Sequence, residues 1–246
     1  RIGSQILTHY PETIQIAKTI TSQEAALDTR QSSTIFIPEL AKDILEQIVF
    51  EARKSEFVDV KSGVSARLSI TAFENLVSTA ERRLLHSGDD KTGIRMSDFT
   101  GIIPAITGKI ELVYEGEQEG AYNVALTLLG NAIKSLYSEF FPKIEKIEKQ
   151  GVESPYDEIV SWFFNHSEDF EILDDISEKD YRSILEKVKP LSEFVLKYQL
   201  GVTPEEVCFW QEFVLWSLVE HKKLSKYRYA EGVQFKDPYG SFISGL

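Results

Sequence analysis

Apolar side chains recur every three or four residues through most of this sequence, the spacing that buries one face of a helix. In the segment that follows Pro38 the periodic residues are Leu40, Ile44, Leu45, Ile48 and Val49. Residues 71–85 repeat the pattern, and it predicts further helices at 119–140, 156–165, 178–187, 190–199 and 203–226. Only residues 109–114 alternate between apolar and polar side chains over enough positions to predict a short strand. The sequence therefore predicts a mainly α fold with at most one short β-hairpin.

The negative charge is concentrated in the second half of the chain. Of the 246 residues, 39 are acids and 27 are bases, which gives a net charge of −12. Up to residue 110 the counts are 14 acids and 13 bases, and after it they are 25 and 14. We predict a first part at 1–142, a linker at 143–155 and an acidic α-helical extension at 156–246. The acidic balance disfavours direct nucleic-acid binding, because phosphate neutralisation needs a basic face.

Several kinds of chemistry lack their sequence signatures. No glycine-rich loop ends in Gly-Lys-Ser/Thr, and the four histidines have no metal-ligand spacing. The single cysteine, Cys208, lies in an apolar aromatic stretch, which favours a buried inert thiol over a nucleophile. No run approaches the roughly 18 apolar residues of a membrane span, and no secretion signal opens the chain. We expect a cytoplasmic protein that is not an enzyme on its own.

One arginine stands in a setting that suits phosphate. Residues 63–68, Gly-Val-Ser-Ala-Arg-Leu, predict a turn that delivers Arg67 at the entrance of a helix beginning near Ile70. A guanidinium held there can direct its planar fork at phosphate oxygens. The alternative is that Arg67 pairs with a nearby acid on the surface.

Over most of residues 1–142 the chain resembles AAA+ ATPases of the MoxR and magnesium-chelatase I-subunit type. Gly63, Ser65 and Arg67 match the Gly-x-Ser-x-Arg turn that carries the second sensor in the helical lid of those proteins. Residues 80–83, Asp98 and the long run 104–121 resemble a signature of the magnesium-chelatase-like and sigma-factor-interacting subgroup. The resemblance implies an AAA+ helical lid domain followed by an α-helical C-terminal extension.

The same resemblance implies a nucleotide site shared between subunits. Arg67 would be the second sensor on an ATP phosphate, with Ser65 and Gly63 shaping its turn. Arg1 matches the tail of a motif whose arginine finger reaches the ATP of the adjacent protomer in trans. ATP and Mg²⁺ would be held by an upstream core in a homo-oligomeric ring, a hexamer, that remodels a protein partner. Arg1 would then be the cut edge of a longer protein, and these residues alone would bind no cofactor and hydrolyse no ATP.

Some features remain open at this level. The run at residues 115–120 is either a cation or partner loop or a turn whose acids favour the following helix. Arg82 and Arg83 either touch a neighbouring subunit or lie on a solvated helix face. Aromatic stripes after residue 150 are typical of a core. The rival function is a nucleotide-independent helical interaction or regulatory protein with a lid-like fold, which would have no Walker A core before Arg1.

Overall fold

The computed structural model describes residues 3–144, 154–166, 170–229 and 231–238. They form a mainly α fold, which confirms the fold class predicted from the helical spacing. A 3₁₀ helix at Met96–Ile102 continues directly into the fifth α-helix. The helices are α1 Ile14–Glu24, α2 Thr29–Thr34, α3 Glu39–Lys54, α4 Arg67–Ser87, α5 Ile103–Thr107, α6 Tyr114–Glu119, α7 Ala121–Phe140, α8 Asp157–His166, α9 Glu178–Glu186, α10 Lys189–Tyr198 and α11 Pro204–Glu220.

The described strands form two small sheets. A parallel pair joins β1, Ile35–Phe36, to β2, Thr92–Gly93. A three-stranded antiparallel sheet has the order β3-β5-β4, and its strands are β3 Glu171–Leu173, β4 Ser225–Tyr229 and β5 Gly232–Lys236. The strand predicted at 109–114 was wrong, because α6 already begins at Tyr114 and the segment makes only one bridge, from Leu112 to Val58.

The ends of the long helices follow local sequence signals. Pro38 precedes α3, whose first turn carries Glu39 and whose last turn carries Arg53 and Lys54, as the helix dipole favours. Helix α4 ends at Ser87, and the next residue, Gly88, caps it in a left-handed conformation with a φ of 74°. The helix predicted at 203–226 instead ends at Glu220. Lys222 there takes a φ of 61°, which turns the chain into β4.

Helix α11 is the central element of the C-terminal part. Every residue from 208 to 218 is buried, which is the pattern of a helix covered on all sides. It packs against α7, α9, α10 and the 3₁₀ helix, and α7 packs against α3. The interpretation of its aromatic stripe as core is confirmed, since Phe209, Phe213 and Trp216 are buried. Cys208 is buried too, and burial raises the pKa of its thiol to about 11, which keeps the thiol protonated.

A buried ion pair joins α4 to the 3₁₀ helix. Arg83 Nη2 lies 2.7 Å from Asp98 Oδ2, and both side chains are almost completely buried. Arg83 also donates to the Thr92 hydroxyl and to the Gly93 carbonyl oxygen. The sequence suggested that Arg83 either touches a neighbouring subunit or lies on a solvated helix face. Both interpretations were wrong, because the Arg83 guanidinium is buried and bonded to groups inside the protein. Arg82, the preceding residue, is exposed.

A second set of polar contacts continues from this pair into the C-terminal part. The Arg95 amide donates to Asp98 Oδ2 at 2.7 Å, and the Arg95 guanidinium bonds the Ile176 carbonyl at 3.1 Å. The same guanidinium lies 4.1 Å from the centre of the Tyr181 ring. Glu212 accepts from the Tyr181 hydroxyl at 2.7 Å and from the Met96 amide at 2.9 Å.

The boundary proposed at 143–155 falls mostly outside the described residues. The division into a part at 1–142 and a part at 156–246 therefore stays a prediction. What the structure does establish is direct contact between these ranges, through α7 on α11 and through the polar groups of Arg95 and Glu212.

Asp98→Ala should destabilise the chain by about 3–5 kcal/mol, because it leaves the buried Arg83 charge unpaired. The matched control is Asp90→Ala, an exposed acid nearby, for which a change within about 0.5 kcal/mol is expected. Urea-induced unfolding followed by circular dichroism measures both free energies. Equal losses in the two variants would contradict the structural role of the pair.

The buried Glu212 predicts a pH dependence. Burial raises the pKa of its carboxyl above the ordinary value of 4.5, and the Tyr181 and Met96 bonds only partly oppose this. An acid with a raised folded pKa contributes stability below its unfolded pKa and loses it as pH rises through the folded pKa. The unfolding free energy of Glu212→Gln, relative to the unsubstituted chain, should therefore increase from about pH 5 to about pH 8. Glu186→Gln, at an exposed position, is the control. If the difference in unfolding free energy between Glu212→Gln and the unsubstituted chain does not change with pH, Glu212 does not have a raised pKa.

Candidate functional site

The turn between α3 and α4 brings together Gly63, Ser65 and Arg67, three of the four site residues predicted from the sequence. Gly63 has a φ of 72°, a conformation that favours glycine. The Ser65 hydroxyl accepts from the Arg67 amide at 3.2 Å, and the Ser65 carbonyl accepts from the Leu68 amide at 3.0 Å. Helix α4 begins at Arg67 itself, three residues earlier than expected. The predicted placement of an arginine at a helix entrance is confirmed.

Arg67 is exposed and available for a ligand. Across the described ranges of the chain, its guanidinium has no hydrogen bond or ion pair, so the alternative of a surface pair with an acid is not observed there. The N-cap residue, Ala66, has no side chain that could cap the helix, and no acid lies in the first turn. A cation at the positive end of a helix dipole opposes stability but strengthens attraction for an anion.

Tyr10 supports the turn from the N-terminal segment. Its hydroxyl oxygen accepts from the Val64 amide at 3.1 Å. A Cβ at Gly63 would lie 2.3 Å from that oxygen, so glycine is required for the approach as well as for the backbone angle. Sequence reasoning missed Tyr10, since it precedes the turn by more than 50 residues and no local signal links the two.

Arg53, in the last turn of α3, supports the next peptide group, on the other side of the Val64 Cα. Its Nε donates to the Val64 carbonyl at 3.3 Å, and its guanidinium carbon lies 4.2 Å from the centre of the Tyr10 ring. Burial lowers the pKa of Arg53, while Tyr10 and Glu46 oppose the shift. Arginine remains charged in proteins, so the contact with the ring is a cation–π interaction.

A cleft of about 510 Å³ lies beside the turn. Its lining includes Tyr10, Ser62, Gly63, Ser65, Lys109 and Glu111. The volume falls within the range of small-molecule sites, which run from about 300 to 1,000 Å³. The Ser62 hydroxyl donates to the Glu111 carboxylate, so two of the polar lining residues are bonded to each other. Arg67 itself is not among the residues that line the cleft.

The remaining sequence candidates lie elsewhere or outside the described residues. Arg1 lies outside them. Residues 114–119 form a helix of their own, α6, with Glu115 and Glu117 in its first turn. The interpretation of residues 115–120 as a turn whose acids favour the following helix was therefore wrong, since the first turn of α7 contains no acid. The described residues contain no group of three histidine, cysteine or acidic side chains arranged to hold a metal ion. The imidazoles of His166 and His221 bond carbonyls of their own helices, at Trp162 and Ser217.

Comparison with known proteins returned no family model, no curated protein and no solved structure that matches this chain. Among the described residues, none of the helices has the length and apolar character needed to cross a membrane. The functional assignment therefore depends on the turn and on the motif resemblance.

Gly63→Ala should cost more stability than the same change at Gly88, which has a matching φ of 74°. Both substitutions carry the left-handed penalty, about 1–2 kcal/mol. Only Gly63→Ala displaces the Tyr10 hydroxyl, whereas no atom lies within 4 Å of a Cβ at Gly88. We expect a further loss of about 1 kcal/mol for Gly63→Ala in urea-induced unfolding. Indistinguishable free energies would show that the Tyr10 contact contributes nothing.

Proposed function

We propose that this chain is the lid-containing part of an AAA+ ATPase of the MoxR and magnesium-chelatase type, in which Arg67 contacts a phosphate of bound ATP. The single observation that carries the proposal is the exposed, unpaired guanidinium of Arg67 at the N-terminus of α4. The Gly-x-Ser-x-Arg match and the long run at 104–121 support the family.

Arg67 can act on phosphate through its own geometry. Its planar fork can donate two parallel N–H bonds to phosphate oxygens, and the dipole of α4 adds partial positive charge at the same place. In an assembled ring, Arg67 would act on ATP in its own subunit, and Arg1 would act on the ATP of the adjacent protomer. Arginines that stabilise transferring phosphoryl groups in trans raise rates by roughly 10³–10⁵. Mg²⁺ bound with ATP would neutralise phosphate charge, and its ligands would come from the core domain.

The lid would convert hydrolysis into movement. Loss of the γ-phosphate removes the contact that holds Arg67, so α4 and the elements packed on it are released from the nucleotide. In this proposal the full-length protein is a cytoplasmic hexameric ring that remodels a protein partner and does not bind nucleic acid directly. The acidic C-terminal part would provide contacts for that partner.

Replacing Arg67 by Ala in the complete encoded polypeptide should lower kcat/KM for ATP hydrolysis by at least about tenfold, the loss expected for a charge-assisted hydrogen bond. Arg30→Ala is the matched control, since Arg30 is another exposed arginine and lies on α2, outside the motif. A coupled phosphate-release assay measures both rates.

Unchanged turnover in the Arg67→Ala protein would refute the proposal. A gene that encodes no Walker A core before Arg1 would also refute it and would favour the nucleotide-independent helical regulator.

A further inference from the structure

The two peptide groups that flank the Cα of Val64 are each held by a side chain distant in sequence. Tyr10 accepts from the Val64 N–H at 3.1 Å, and Arg53 donates to the Val64 carbonyl at 3.3 Å. The two side chains also contact each other, with the Arg53 guanidinium over the Tyr10 ring. Backbone groups in a surface turn are ordinarily satisfied by water, so side-chain bonds to two successive peptide groups are an unusual degree of constraint.

We infer that Tyr10 and Arg53 are positioning residues that fix the direction in which Arg67 leaves the protein surface. The inference rests on the proposed function, since the direction of Arg67 matters only if its guanidinium binds a ligand. It goes further by assigning roles to two residues that the motif does not contain.

The short distance along the chain explains how the constraint reaches Arg67. The side chains of Val64 and Leu68 are buried, and only three residues separate them. The Ser65 hydroxyl, inside this interval, accepts from the Arg67 amide. This bond fixes the first residue of α4 relative to the turn. Once the two peptide groups that flank Val64 are fixed, few backbone conformations remain for the residues up to Arg67.

The N-terminal segment is coupled to the turn through Tyr10. Residues 3–9 are exposed, and Ile6 and Leu7 remain more than four-fifths accessible. Tyr10 is therefore the point at which this extended segment is tied to the turn. A movement of residues 3–9 would shift Tyr10 and so change its hydrogen bond to Val64 and its ring contact with Arg53, which together position the turn before Arg67.

Tyr10→Phe tests the inference, because it removes the accepting hydroxyl and keeps the ring over Arg53. In the complete encoded polypeptide, the KM for ATP should rise about threefold to tenfold, as expected for one lost hydrogen bond. Arg53→Lys, which keeps the charge but lacks the Nε donor, should act in the same direction. Tyr114→Phe is the control, since that exposed hydroxyl only accepts from Gln118 within α6.

A double-mutant cycle separates positioning from a general loss of structure. If Tyr10 acts through Arg67, Tyr10→Phe should produce no further rise in KM once Arg67 is already Ala. Effects that multiply in the double variant would overturn the inference.

Hydrogen exchange on the 246-residue chain supplies a readout that needs no nucleotide. The Val64 amide should exchange faster in Tyr10→Phe and at an unchanged rate in Tyr114→Phe. Unaltered exchange at Val64 would overturn the inference.

The outcomes distinguish this inference from the proposed function. If Arg67→Ala leaves ATP hydrolysis unchanged, the proposed function fails and the inference fails with it. If Arg67→Ala impairs hydrolysis while Tyr10→Phe leaves the KM unaltered, the function stands and the positioning roles are wrong.

Discussion

The buried ion pair between Arg83 and Asp98 is the contact around which α4 and the 3₁₀ helix meet the helices of the C-terminal part. Removing two charges from water is costly, so each must find a partner inside the protein. Asp98 also accepts the Arg95 amide, which directs the Arg95 guanidinium toward Tyr181 and Glu178. The next residue along, Met96, donates its amide to Glu212 of α11. A change in the pair would therefore alter how α4 and the 3₁₀ helix meet α9 and α11.

Helix α4 carries both this buried arginine and an exposed one. Near the C-terminal end of α4, Arg83 is buried and fully engaged, while at its start Arg67 is exposed and unpaired. The N-terminal half of the helix is held by Glu46 of α3, which accepts from the hydroxyls of Thr21 at 2.5 Å and Ser69 at 2.7 Å. Burial raises the pKa of Glu46, and the two hydroxyl bonds oppose that shift. Helix α4 is thus anchored along its length, which leaves Arg67 as a fixed point from which a guanidinium projects.

Local sequence patterns predicted what depends on neighbours along the chain. The apolar spacing predicted α3, α4, α7 and α10 to within a few residues, and Gly63 with Ser65 predicted the turn that delivers Arg67. Strand β4 was missed because residues 221–226 contain no glycine or proline that would stop the predicted helix, which ends instead where Lys222 adopts a positive φ. Strand β5 was missed with it, since β5 pairs with β4. The burial of Arg83 was missed because its partner, Asp98, becomes a neighbour only after the chain reverses beyond Gly88. Tyr10 and Arg53 were missed for the same reason, since their contacts with Val64 cross from other elements.

We propose that Arg67 binds a nucleotide phosphate. A structure of the complete encoded polypeptide with a non-hydrolysable ATP analogue tests this most directly. We expect a guanidinium nitrogen of Arg67 within about 3 Å of a phosphate oxygen, with the Tyr10 and Arg53 contacts to Val64 retained. An Arg67 that remains in solvent while the analogue is bound elsewhere would contradict this proposal.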